Sequence, residues 1–115
     1  MWLLDSNIPK KLTLVLSGLG VESATAQSRG WGNLSNGSLV KAAATAGFSC
    51  LLTRDRLFAE SASGALRSFP TFSVVVVTLP QLREPLFLEA FRAAWQRAPI
   101  RPVGGEISSW PALSL

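Results

Sequence analysis

Asp5 and Asp55 are the residues of this chain whose type and setting best suit chemistry, because each carboxylate closes a short apolar run. Trp2-Leu3-Leu4 precedes the first, and a run from Phe48 through Cys50, Leu51, Leu52 and Thr53 leads by way of Arg54 into the second. Runs of this length read as buried strands rather than helices. In an open parallel sheet, groups at the carboxyl ends of strands line the crevice where ligands bind, most of all where strand order reverses. Two carboxylates meeting there could share a cation. The structural alternative is that each aspartate caps the helix following its strand.

Composition narrows the chemistry further. The chain has no histidine, which removes Ser-His-Asp catalysis and histidine-bearing zinc sites, and leaves hard carboxylate oxygens suited to Mg²⁺ or Mn²⁺. Cys50 is the one cysteine. Inside a strand and with no histidine to activate it, it reads as core filler in a reducing compartment. An apolar fraction of 48% excludes a disordered chain and fits a sheet buried on both faces. The Val74–Val77 run is far shorter than the roughly 20 residues of a membrane span. Asp5 also falls where a secretory leader would be apolar, so no membrane association and a cytoplasmic location are expected. A net charge of +4 favours a polyanionic partner, with RNA slightly ahead of an acidic protein surface.

The elements that must position the aspartates alternate between strand and helix. A strand over 2–5 is followed by a helix opened by Asn7 as cap and Pro9 in the first turn, with Ile8, Leu12, Val15, Leu16 and Leu19 on one face. Residues 21–26 read as a weaker strand. The turn-rich loop 28–37, with Gly30 and Gly32 flanking Trp31, leads to a second helix capped by Ser35 or Asn36 and stopped by Gly47. After Asp55 come a short helix through Leu57, Phe58 and Ala62, then an apolar strand over 72–79. A last helix begins at Pro85, with Leu86, Phe87, Ala90, Phe91, Ala94 and Trp95 as its apolar stripe. Residues 1–98 are expected to form one three-layer α/β/α domain around a four-stranded, mainly parallel sheet in the order 2-1-3-4. Residues 99–115, with Pro102, Gly104-Gly105 and Pro111, are expected to be an irregular tail, mobile or laid against a partner through Trp110. The 2-1-3-4 order puts strands one and three side by side and brings Asp5 and Asp55 to one rim.

Three strings resemble, in order and spacing, the small bacterial PIN-like domain family: Leu3-Leu4-Asp5-x-Asn7-Ile8-Pro9, Gly30-Trp31-Gly32-x-Leu34-Ser35-Asn36-Gly37-x-Leu39, and Leu51-Leu52-Thr53-Arg54-Asp55-x-x-Phe58. The likeness extends through Val74–Val77 to about Trp95. It implies a compact α/β nuclease-type fold, an acidic pocket for Mg²⁺ or Mn²⁺, RNA cleavage in active members, and pairing with a small antitoxin-like protein. Carried over by position, Asp5 and Asp55 are the catalytic and metal-binding acids. Asn36 and Ser38 stand where relatives carry Asp and Glu, and Leu57 where many carry a further Asp. The acidic site is therefore depleted, and Asp5, Asp55 and Asn36 would hold one hydrated ion weakly, with help from Asn7 and Thr53.

Around the acids, Asn7, Arg54, Lys10 and Trp31 are candidates for contact with substrate. Arg54 could clamp a phosphate or, with no metal bound, neutralise the aspartates; Arg56 is expected in solvent. Lys10 and Lys11 could rim the pocket or simply lie on a solvated helix face. Trp31 could stack on a base or plug the sheet edge. Glu22 and Glu60 read as surface acids. The leading functional reading is a Mg²⁺- or Mn²⁺-dependent ribonuclease, the toxin-like member of a toxin-antitoxin pair. The alternative is a catalytically silent module of the same kind binding RNA or a partner protein, with a homodimer open in either case. A receiver-like phosphoacceptor ranks last, because the doubled acid after the first strand and the late lysine of such domains have no counterpart.

Overall fold

Successive residues of a strand face opposite sides of a sheet, so a strand apolar at every position must be covered on both. The computed structural model, which describes residues 1–112, shows this arrangement. Strands β1 (Trp2–Leu4), β2 (Ser23–Thr25), β3 (Cys50–Thr53), β4 (Ser73–Val77) and β5 (Ile107–Trp110) form a single sheet in the order β2-β1-β3-β4-β5. Every pairing in it is parallel. Leu4, Cys50, Leu52, Val75 and Val77 are buried on one face with residues of helices α1 (Leu12–Gly18) and α4 (Glu84–Arg97). Leu3, Leu51 and Val74 are buried on the other with residues of α2 (Asn36–Thr45) and α3 (Phe58–Arg67).

The expected sheet is corrected in strand count. It has five strands, and the fifth comes from the segment expected to be an irregular tail, whose last residues, 113–115, lie outside the described residues. Two features make this strand possible. Gly104 and Gly105 turn tightly against Pro70 and Thr71: a Cβ on Gly104 would lie 3.1 Å from the Pro70 carbonyl oxygen, and Gly105 has φ +82°. The Gly105 N–H donates to Phe72 O at 2.8 Å, which sets the register of β5 on β4. Trp110 then anchors the far end. The residue is 7% exposed, its ring lies 4.9 Å from Phe91 between centroids, and its Nε1 donates to Ala98 O at 2.7 Å.

Helix α4 lies on the same face as α1, opposite α3, although α3 and α4 both connect successive strands in the same lateral direction. Their crossovers therefore have opposite hands, whereas one uniform hand is the strong rule for parallel sheets. The sequence suggests why. Helix α1 has 7 residues and leaves much of its face uncovered, and the apolar stripe of the 14-residue α4 fills it. Helix α1 is also shorter than expected: residues 6–11 form turns, and Asn7 does not cap it. Ser35 is the cap of α2, accepting from the Ser38 N–H. Among the described residues, no helix is long and apolar enough to cross a membrane.

Cys50 lies in the middle of this packing at 0% exposure. Burial pushes its thiol from 9.0 up to about 12, with a hydrogen bond to Ser73 and the nearby N-terminal charge pulling the other way. Below 9.0 the thiol is neutral whether the chain is folded or not, whereas between 9.0 and about 12 only the unfolded chain ionises it, so stability falls with rising pH across that window. Alkylation by iodoacetamide at about pH 8 is expected to be negligible in the native protein and rapid in denaturant. Fast native labelling would contradict the buried placement.

Candidate functional site

β1 and β3 are neighbours in register, Leu4 beside Leu52, so the next residues, Asp5 and Thr53, come abreast at the carboxyl rim. The Asp5 N–H continues the ladder by donating to Leu52 O at 2.9 Å. Thr53 is fully buried, and its hydroxyl joins the two aspartates. Thr53 Oγ1 donates to Asp5 Oδ2 at 2.7 Å and accepts the Asp55 N–H at 3.1 Å and Asn7 Nδ2 at 3.2 Å. One donation and two acceptances exhaust a hydroxyl. The rim is thus built around a threonine whose apolar neighbours fix its position and whose oxygen orders three polar residues.

The remaining carboxylate oxygens are held as well. Asp5 Oδ1 accepts the Ser6 N–H at 2.8 Å. Asp55 Oδ1 accepts the Leu57 N–H at 2.9 Å, and Asp55 Oδ2 accepts Asn36 Nδ2 at 3.3 Å. Asn36 can reach across because Ser35 performs the capping, leaving the first residue of α2 free to donate to Asp55 and, at 2.7 Å, to Ser61 Oγ of α3. Asp55 does not cap α3, whose cap position is Leu57: its Oδ1 holds the Leu57 N–H in the turn before the helix, while Oδ2 faces Asn36.

Asp5, Asp55, Asn36 and Asn7 are brought together with Arg54 beside them, whereas Lys10 and Trp31 make their contacts elsewhere. Asn7, expected to open a helix, instead uses both ends of its amide on β3: Nδ2 on Thr53, and Oδ1 accepting the Arg54 N–H at 3.0 Å. Arg54 does not neutralise the aspartates. Among the described residues the ion pair is Lys11–Glu84 at 3.8 Å, and the Arg54 guanidinium lies instead over the Phe87 ring, 5.2 Å from its centroid. Lys10 lines an open groove of about 470 Å³ with Leu14, Ser23 and Thr25, along the β2 edge. Trp31 packs edge-on against Phe48 at 6.0 Å, with Arg29 over both rings. The Trp31 N–H donates to Ala26 O at 2.9 Å, just past the carboxyl end of β2, while its ring is engaged by Phe48. Glu22, Glu60 and Arg56 are exposed. No group of three or more His, Cys, Asp or Glu converges among the described residues.

Thr53 and Ser61 carry more of this arrangement than their sequence signals suggest. A threonine closing an apolar run, two positions before an acid, is the available clue for the first; Ser61 has none. Thr53→Val preserves shape and removes the hydroxyl, leaving Asp5 Oδ2 without its donor and the Asp55 N–H and Asn7 Nδ2 without their acceptor. A loss of about 2 kcal/mol in urea unfolding is expected, with Thr53→Ser close to wild type. A loss below about 0.5 kcal/mol would show that water replaces the hydroxyl at no expense.

Comparison of the chain with models of known protein families, with curated proteins and with solved structures gives no match.

Proposed function

We propose that the chain is a PIN-like domain whose Asp5–Asp55 rim takes one Mg²⁺ or Mn²⁺ and acts on single-stranded RNA as a ribonuclease with a reduced acidic site. The supporting observation is the meeting of the two aspartates, 50 positions apart in sequence, at the carboxyl ends of adjacent strands through one buried hydroxyl. This rim is also where the order turns, β1 lying between β2 and β3. The donor set suits a hard cation. It offers two carboxylates and the Asn36 amide oxygen, which accepts no hydrogen bond among the described residues.

Such an ion, when bound, supplies Lewis-acid polarisation of a phosphate oxygen and offsets charge growing there. The chain's own contribution is orientation. Ser6 and Thr53 fix the Asp5 carboxylate, Leu57 and Asn36 fix that of Asp55, and the packed β3 backbone holds both against the buried sheet. With two carboxylates rather than three or four, a single weakly held ion is expected. Pairing with a small antitoxin-like protein belongs to the same proposal, supported by a net charge of +4 that suits an acidic partner.

A second reading is favoured by a specific observation. All four carboxylate oxygens of Asp5 and Asp55 already accept hydrogen bonds within the chain, so the rim is ordered without a metal. A catalytically silent module binding RNA or a partner protein would have this property. A labelled single-stranded RNA incubated with the protein in Mn²⁺ and in EDTA separates the two. Cleavage in Mn²⁺ that EDTA stops supports the nuclease; retention of intact RNA in both supports the silent module.

A further inference from the structure

We propose that Arg54, Asn7 and Gln81 form an anion subsite that seats a phosphate of a single-stranded RNA next to the acidic rim; the choice of occupant rests on the RNA-directed reading above. The three residues line a polar cleft of about 220 Å³. This is below the roughly 300–1,000 Å³ of sites for organic ligands and suits a group the size of a phosphate. Arg54 is half-buried, and its guanidinium is held by the ring of Phe87, which is fully buried at the start of α4. The Phe87 ring lies beneath the guanidinium, and the N–H donors meet no carboxylate, since the ion pair among the described residues is Lys11–Glu84. A planar fork fixed in this way matches a phosphate through two parallel hydrogen bonds.

The cleft is continuous with the rim through Asn7. Its Oδ1 accepts the Arg54 N–H, fixing the backbone from which the guanidinium extends, and its Nδ2 donates to the Thr53 hydroxyl that in turn donates to Asp5. A strand laid across the rim therefore meets Arg54 one residue before Asp55 and Asn7 two residues after Asp5. Gln81, in the exposed segment between β4 and α4, adds an amide donor from the far wall. Arg56 carries the same charge in the same loop but is exposed and lies over no aromatic ring among the described residues, so it serves as the control.

The test is fluorescence anisotropy of a labelled single-stranded RNA oligomer in EDTA across a salt series, with inorganic phosphate as competitor. Arg54→Met is expected to weaken binding about 10–100-fold and to lower the slope of log affinity against log salt by about 0.7, the value for one phosphate contact on a single strand. Gln81→Ala is expected to weaken it a few-fold, and Arg56→Met less than about twofold. Millimolar inorganic phosphate should compete with wild type and not with Arg54→Met. Gln81→Ala, an exposed change, decides the matter if Arg54→Met fails to fold. No RNA binding by wild type, equal losses at Arg54 and Arg56, or a Gln81→Ala variant identical to wild type would overturn the subsite. Arg54-dependent binding with no cleavage in Mn²⁺ leaves the subsite standing and removes the nuclease. Cleavage with an unchanged KM in Arg54→Met does the reverse.

Discussion

Asp5→Asn is expected to lower Mn²⁺-dependent RNA cleavage at least about 10²-fold while leaving the protein folded. The substitution keeps the size of the side chain and removes one of two carboxylates. Losing three or more of the several kcal/mol that a bound cation contributes to a phosphoryl transition state corresponds to that factor. The folded state should tolerate the change better. Asp5 accepts the Ser6 N–H at one oxygen and the Thr53 hydroxyl at the other, so an asparagine keeps one acceptance and turns its NH₂ against the other donor. That loss is about 1–2 kcal/mol, readable in urea unfolding. Asp55→Asn should behave similarly in cleavage and cost less in stability, because its Oδ2 partner is an amide that can rotate. Cleavage that persists in Asp5→Asn at the wild-type rate would exclude the rim as the reaction centre and point to a contaminating nuclease. Calorimetric titration of Mn²⁺ into both proteins gives the accompanying loss of affinity.

Trp110→Ala is expected to cost about 3–5 kcal/mol of folding stability, the range for removing a large aromatic from a packed site. The ring lies 4.9 Å from Phe91 and 6.3 Å from Trp95, and Trp95 in turn lies 6.1 Å from Trp2, so one side chain links β5, α4 and β1. Its Nε1 satisfies Ala98 O, and its backbone carbonyl accepts the Thr78 N–H at 2.8 Å. At about 4 °C per kcal/mol for a domain of this size, the expected fall in Tm is roughly 10–20 °C, a large share of a total stability of order 5–15 kcal/mol. Circular dichroism is the suitable probe, since the substitution removes an emitting tryptophan. A shift under about 1 kcal/mol would mean that β5 is an appendage to a sheet complete without it.

Trp110 also marks where reading the chain residue by residue falls short. Its strand, Ile107-Ser108-Ser109-Trp110, is short, half polar and surrounded by Pro102, Gly104, Gly105 and Pro111. Nothing in that composition distinguishes a strand from a loop. Edge strands need one apolar anchor rather than a continuous run, and the backbone pairing offered by β4 supplies the remainder. The same limit applies to Asn7. As a residue before a proline-containing turn it reads as a cap, yet its amide goes to Thr53 and Arg54, more than 40 positions away. Local propensity cannot register a partner so distant.

The strands of the interior and the rim location of the aspartates were legible because they follow from short-range rules. Leu3-Leu4, Cys50-Leu51-Leu52 and Val74-Val75-Val76-Val77 are apolar at every position, which only a sheet covered on both faces can accommodate, and such strands run parallel with helices between them. An acid at the end of each of the first two runs then falls at the carboxyl edge of the sheet. The tertiary structure alone decided three things: that the polar final segment pairs as β5, that α4 lies on the α1 face, and that Arg54 rests on Phe87 instead of on an aspartate. Each depends on which surfaces remain uncovered or unpaired once the rest of the chain has packed, a competition between distant segments that no window of neighbouring residues records.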